Sequence, residues 1–215
     1  MRKIPIFPLP GVVFFPGTLL PLHIFEPRYR AMVEHALSSE RLIGMSMVAP
    51  DNADPESLLG NPPLLPLGGA GLIVEHERLE DGRYNILLEG KFRFRIVRED
   101  EPGAFRTAVI NEATTMPFSS PNEEHAALTA AQDLFEQVRR MIGLPPLPTE
   151  PLTAERLSGE LALRLRLPSE ALQNLLETDS LPERYRAITT RLSEWKEIAG
   201  ILQPYRQGDA NPINN

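Results

Sequence analysis

Cysteine is absent from the 215-residue sequence, which removes disulfides, thiolate nucleophiles and cysteine-bound zinc together and suits a reducing compartment. Lysine is nearly absent too. Lys3, Lys91 and Lys196 are the only lysines among 22 cations, leaving little room for lysine-based catalysis. Long apolar runs are missing, since the stretches around Val12–Phe15 and Ala70–Val74 fall far short of the ~20 residues a spanning helix needs. No leader pattern follows Met1-Arg2-Lys3, because Pro5, Pro8, Pro10 and Pro16 interrupt what comes next. The expectation is a cytoplasmic protein without membrane contact. Positive charge is in deficit: a net charge of −7 and a pI near 5.2 argue against a sequence-independent hold on nucleic acid.

Catalytic signatures are scarce. A glycine-rich turn followed by Lys and Ser or Thr, which would cradle nucleotide phosphates, does not occur. Neither Ser46 nor Ser158 sits in a nucleophile elbow or has a histidine close in sequence. His23, His35, His76 and His125 lack the spacing that puts two metal ligands on one helical face. No catalytic, metal or cofactor residue is therefore assigned, and a small enzyme would have to assemble its site from distant positions.

Proline, by contrast, is abundant: 22 residues, about twice the usual ~5% share, clustered where elements connect. Up to about residue 115, Pro and Gly break every apolar run, so short strands are expected at Ile4–Phe7 and Thr18–Leu22 and a buried one at Leu42–Val48. One helix interrupts them: Pro27 suits a first helical position, and Tyr29, Met32, Val33, Ala36 and Leu37 recur at helical spacing. A surface loop is expected over 51–66. Leu67–Leu79 and Tyr84–Val97 flank Asp81-Gly82, which points to a hairpin with a type I′ turn, and Gly90 marks a bulge or bend. Phe105–Glu112 closes the β-rich half.

From Pro121 the period changes to that of helices. Leu128, Ala131, Phe135, Val138 and Ile142 form one stripe, with Asn122 as cap and Gly143 as stop. A proline-rich connector, Leu144–Leu152, leads to helices near 154–165 and 170–177, the latter capped by Ser169. The last helix begins at a capping box, Ser180 with Glu183, carries Tyr185, Ile188, Leu192, Trp195 and Leu202 on one stripe, and is expected to stop at Pro204. The expected division is a β domain over 1–117, a helical bundle over 118–205 and a flexible tail over 206–215.

Two surfaces stand out as binding candidates. Phe14, Phe15 and Pro16 form an apolar cluster between glycines that reads as core, or as a peptide dock if part of it is exposed. Lys91-Phe92-Arg93-Phe94-Arg95 alternates cations with aromatics; it reads as a strand with Phe inward and Arg outward, and with Arg78 it makes Arg93 and Arg95 the candidate basic strip for RNA or a nucleotide.

The run from Ile4 to Gly17, continued from Leu20 through Phe25-Glu26-Pro27-Arg28-Tyr29-Arg30-Ala31-Met32-Val33, resembles the opening of the Lon amino-terminal domain family. A second block, Gly71-Leu72-Ile73 through Asp81-Gly82-Arg83-Tyr84 to Arg93-Phe94-Arg95-Ile96, resembles that family's central hairpin. Many members carry a cysteine before the central strand where this chain has Gly69-Ala70. The resemblance implies an α+β fold: a twisted, partly closed β-barrel of the PUA-like kind with one helix, then a carboxy-terminal helical bundle. It also implies a stand-alone, non-catalytic module that holds unfolded or peptide substrates, without motor or protease parts, working with a separate protease or chaperone. RNA or nucleotide binding is the alternative that the barrel type suggests.

Overall fold

The computed structural model describes residues 1–52, 61–101 and 103–207. Residues 53–60 of the loop expected at 51–66 and residues 208–215 of the tail expected at 206–215 lie outside those residues. The chain forms two compact units: Met1–Thr115 with Pro168–Asp179, and Met116–Leu167 with Ser180–Asn215. This division differs from a single cut near residue 117, because the segment at 168–179 groups with the strands.

The first unit contains strands β1 (Arg2–Leu9), β2 (Leu19–Ile24), β3 (Leu42–Met47), β4 (Leu67–Arg78), β5 (Tyr84–Glu99) and β6 (Thr107–Glu112), with helix α1 (Pro27–Leu37) between β2 and β3. The sheet order is β2-β5-β4-β3-β1-β6, and β6 pairs again with β5, so five strands close a ring with β2 attached outside it. β5 makes this possible by its length. Its first part, Tyr84 to Glu89, pairs with β2, and its last part, Phe94 to Glu99, pairs with β6. Only β1 and β3 run parallel among the named pairings, as the β2–α1 connection between them requires.

All five ring strands contribute to one apolar cluster: Ile4 and Ile6, Leu42, Ala70, Phe94, Ala108 and Ile110. A second cluster joins the sheet to α1, whose buried residues Tyr29, Met32, Val33 and Ala36 fall at i, i+3, i+4 and i+7. Met32 and Val33 are fully buried, and each such side chain contributes roughly 1.5–3 kcal/mol. The hairpin turn differs from type I′. Only Gly82 has positive φ (80°), and bonds from Gly82 N–H to Leu79 O and from Leu79 N–H to Arg83 O enclose a three-residue loop ending in a glycine bulge. Asp81 accepts from the Arg83 backbone and side chain, and the backbone bond foremost holds its carboxyl below the usual range.

Three glycines let the Phe14-Phe15 segment approach the strands closely. A Cβ on Gly69 would lie 1.9 Å from Phe14 O, one on Gly90 2.1 Å from Phe15 O, and one on Gly71 2.4 Å from the Phe14 ring. The Phe14-Phe15 backbone therefore lies in a trench that only glycine leaves open. Gly17, at φ 76°, forms a second glycine bulge there, donating to Gly90 O while Thr18 O accepts from Gly90 N.

Helix α4 (Ser169–Glu177) completes this unit. Its N-cap position is Pro168, without a side-chain cap bond, so Ser169 begins the helix rather than capping it. Buried Gln173 donates from Nε2 to Leu67 O at 2.9 Å, satisfying a strand carbonyl and fixing the helix against β4.

The second unit consists of α2 (Pro121–Ile142), α3 (Ala154–Arg164) and α5 (Leu181–Gln207). Ser120, not Asn122, caps α2 by accepting from Glu123 N, which leaves Pro121 at the first helical turn, where its missing N–H costs nothing. Gly143 ends α2 in the left-handed conformation, φ 76°. Ala131, Phe135 and Val138 of α2, Leu157 and Leu161 of α3, and Tyr185, Ile188 and Leu192 of α5 are buried. The Tyr185 hydroxyl donates to Ala154 O at 2.9 Å, and burial pushes the phenol well above its ordinary pKa. α5 runs through Pro204 to Gln207 instead of stopping there: a proline withdraws one backbone donor, which weakens a helical ladder without having to end it.

Candidate functional site: an apolar groove in the helical unit

The residues singled out from the sequence are dispersed and mostly committed to structure. Phe14 is 2% exposed and Phe15 1%, and Pro16 is buried, so the trench that holds them removes them as a dock. Arg93 is 1% exposed: it lies on the face opposite Phe94, but that face is covered, against the expectation that it meets solvent. Its Nη1 donates to Leu176 O at 2.8 Å and to Asp179 Oδ1 at 2.9 Å, and its Nη2 to Thr114 O at 2.6 Å and Thr115 Oγ1 at 3.1 Å. The alternation itself holds, since Phe94 enters the barrel cluster and Phe92 packs against it; Arg93 lies on the opposite face, which the segment 176–179 and Thr114-Thr115 cover. Arg78 pairs loosely with Glu34 at 3.8 Å, and Arg95 is exposed. With Arg93 inside, these three cations do not form a strip.

The candidate nucleophiles are also engaged. Ser46 donates to Leu65 O and Ser158 to Glu155 O, each at 2.7 Å, so neither hydroxyl faces an imidazole base. His23 Nδ1 lies 2.8 Å from Asn85 Oδ1, and the His35 ring packs 5.3 Å from that of Phe105. Among the described residues no cluster of three His, Asp or Glu side chains forms a metal site, and no helix is long and apolar enough to cross a membrane. A hollow of about 330 Å³ on the barrel, lined by Pro21, Glu75, His76, Glu77, Asn85, Ile86 and Leu87, is wide open, and Asn85 there already donates to Glu77.

A different kind of concavity lies in the helical unit. Where α2 ends at Ile142 and Leu144, and α3 ends at Leu165 and Arg166, the continuing α5 contributes Trp195, Ile198, Ala199 and Leu202 to a groove of about 240 Å³. These α5 positions have the i, i+3, i+4, i+7 spacing of a helix face made for burial. Towards its start the same helix buries Tyr185, Ile188 and Leu192. Beyond Leu192 the stripe outlasts the cover of the shorter helices: Trp195 is 36% exposed, Ile198 50%, Leu202 45% and neighbouring Ile201 68%. Contiguous exposed apolar side chains of this size mark a contact surface more often than they occur by accident. The volume is below the ~300–1,000 Å³ of a typical small-molecule site, so the groove suits side chains of another polypeptide better than a cofactor.

Arg166 is the one charged residue lining it. Neighbouring arginines have partners: Arg139 and Arg140 bond Glu136 at 2.7 and 2.8 Å, Arg164 bonds Glu160 and donates to Pro146 O, and Arg191 bonds Glu194. The bonds from Arg139 and then Arg140 hold the Glu136 carboxyl down at about 2. Among the described residues no side-chain hydrogen bond or ion pair occupies Arg166, which is exposed. Its backbone has φ 49°, in the left-handed region that Gly143 occupies at the end of α2. A side chain costs about 1 kcal/mol there relative to glycine. Arg166→Gly is accordingly expected to leave stability unchanged or raise it by up to ~1 kcal/mol in urea denaturation, the relief being partly offset by the freer unfolded chain.

A ring of strands together with a helical unit is the fold of Lon amino-terminal domains. A family model, the ATP-dependent protease La (LON) substrate-binding domain, matches residues 3–194, and the chain belongs to that family. The Lon protease of Roseiflexus castenholzii is 30% identical over 211 residues, covering 92% of this chain and 25% of the relative. Lon protease 2 of Myxococcus xanthus is 29% identical over 203 residues, covering 92% and 24%. The chain thus spans about a quarter of the length of these curated relatives. Among solved structures, the Lon N-terminal domain protein from Xanthomonas campestris matches with a TM-score of 0.63 at 21% identity, covering 88% of this chain and 98% of that one. The N-terminal domain of a Mycobacterium avium complex Lon protease matches with a TM-score of 0.66 at 18% identity, covering 89% and 98%. At those identities the likeness is one of fold.

Proposed function

We propose that this chain is a non-catalytic polypeptide-recognition module, which holds apolar segments of unfolded or peptide substrates in the groove lined by Trp195, Ile198 and Leu202 and passes them to a separate protease or chaperone in the cytoplasm. The observation that carries this reading is the run of large apolar side chains on α5 left half exposed around a concavity, in a chain whose family is described by substrate binding. Burial of apolar surface supplies the attraction at ~25 cal/mol per Å², and such contacts tolerate varied sequences, as a substrate holder needs. RNA or nucleotide binding is less well supported, since Arg93 is consumed inside the fold and the net charge is −7.

The test is fluorescence anisotropy of one labelled model protein, presented folded and then permanently unfolded, titrated with this chain at low and high salt. Selective and nearly salt-independent binding of the unfolded form is expected. Ile198→Asp, which places a charge where an apolar side chain should be buried, is expected to weaken that binding at least about tenfold. Equal affinity for both forms, or affinity that collapses with salt, would contradict the reading.

A further inference from the structure

We infer that the groove is selective as well as adhesive: it takes an apolar segment that carries one acidic side chain beside its apolar residues, and Arg166 reads that carboxylate. The inference rests on the polypeptide-holding reading above and adds the substrate class. Three observations support it. Arg166 is the single charge among eight lining residues. Arginines close to it in sequence or on the adjoining helix ends are bonded to Glu136, Glu160 or Glu194, whereas no such partner occupies Arg166 among the described residues. And its guanidinium presents a planar fork of donors matched to a carboxylate, beside apolar walls that can take the neighbouring apolar residues of the segment.

Long-range charge works the other way. A chain at −7 repels strongly acidic ligands over distances comparable to the Debye length of ~8 Å, so the favoured segment has a single carboxylate among neutral or basic residues. A basic side chain placed at the same point meets Arg166 directly and is disfavoured. The groove therefore discriminates by the sign of one charge within an apolar context, which a purely greasy surface does not do.

The experiment uses short fluorescent peptides with amidated ends, identical except for Glu, Gln or Lys beside an apolar cluster, together with a Gln peptide whose carboxy terminus is free. Each is titrated against the full chain and its variants Arg166→Gln and Arg166→Gly; the glycine variant suits the backbone at this position, so a folded variant is at hand. The Glu peptide should bind the unaltered chain about two- to fivefold more tightly than the Gln peptide, with Lys weakest. Both variants should bind the Glu and Gln peptides equally. Equal binding of Glu and Gln by the unaltered chain, or a preference that survives in the variants, would overturn the inference while leaving polypeptide holding intact. A gain from the free terminus without a gain from Glu would also overturn it, assigning Arg166 to chain ends instead. Absence of binding by every peptide would remove the polypeptide-holding reading and this inference with it.

Discussion

Gly69→Ala is expected to cost the barrel at least about 3 kcal/mol, and to leave little folded protein if the native margin is small. The added Cβ would sit 1.9 Å from Phe14 O and 2.9 Å from Phe14 C, against backbone that cannot rotate out of the way as a side chain end can. Moving Phe14 would in turn disturb the cluster shared with Tyr29, Met32 and Ile73. Gly200→Ala provides the contrast. Nothing lies within 4 Å of the Cβ it would add, and in the interior of α5 alanine should raise stability by about 0.5–1 kcal/mol. Urea midpoints of the two variants, measured side by side, separate a steric requirement for glycine from a mere presence of it. A Gly69→Ala variant as stable as the parent would mean that the Phe14-Phe15 segment does not cross β4 as described.

Arg93→Met is expected to lose about 3 kcal/mol, although it replaces one long side chain with another. Arg93 donates to two backbone carbonyls, Leu176 O and Thr114 O, to the Thr115 hydroxyl and to Asp179, and its side chain is fully buried. Removing the donors strands acceptors that water reaches poorly, at roughly 1–3 kcal/mol for each one buried. Asp179→Ala should cost less, about 1 kcal/mol, because that carboxylate is 43% exposed and the other acceptors keep Arg93 in place. Hydrogen exchange gives the sharper readout: amides of α4 should lose protection in Arg93→Met before those of β3 and β4 do, since Leu176 O belongs to that helix. Unchanged α4 protection would show that Gln173 and the apolar contacts hold the helix by themselves.

Local chemistry made much of this fold legible. Pro27 and the spacing of Tyr29, Met32, Val33 and Ala36 define α1 to its end residues, and the apolar arms around Asp81-Gly82 define the β4–β5 hairpin. The turn type was not legible, because Asp-Gly serves both a type I′ turn and the last two positions of a type I turn with a glycine bulge. Nor was the burial of Arg93. Strand alternation places it on the face opposite Phe94, but whether that face meets solvent or a covering segment depends on contacts remote in sequence. The allegiance of α4 is decided by contacts 83 and 106 residues apart in sequence, Arg93 to Leu176 and Gln173 to Leu67, which periodicity cannot register. Gly68-Gly69-Ala70-Gly71 did carry a signal for close backbone approach, but not the identity of the segment that approaches.

The groove was hidden for a different reason. Trp195, Ile198 and Leu202 continue the spacing of Tyr185, Ile188 and Leu192 without a break, so the stripe reads as core throughout its length. What separates its two parts is how far the other helices reach: α2 stops at Gly143 and α3 at Leu165, leaving the later turns of α5 only partly covered, with Ala199 buried and Trp195, Ile198 and Leu202 exposed. A stripe longer than the helices available to cover it is the sequence-level sign of such a surface, visible only once helix lengths are compared.

Trp195 is the only tryptophan of the chain and it lines the groove, so the protein reports on its own site. The most direct measurement is intrinsic fluorescence of the full chain titrated with an apolar peptide that lacks tryptophan, with acrylamide quenching at each point. Polypeptide holding in the groove predicts a blue shift and a fall in quenching that saturate together with binding, and both should be lost in Ile198→Asp. Binding that leaves the emission and quenching of Trp195 unchanged would place the substrate elsewhere on the molecule and contradict the account.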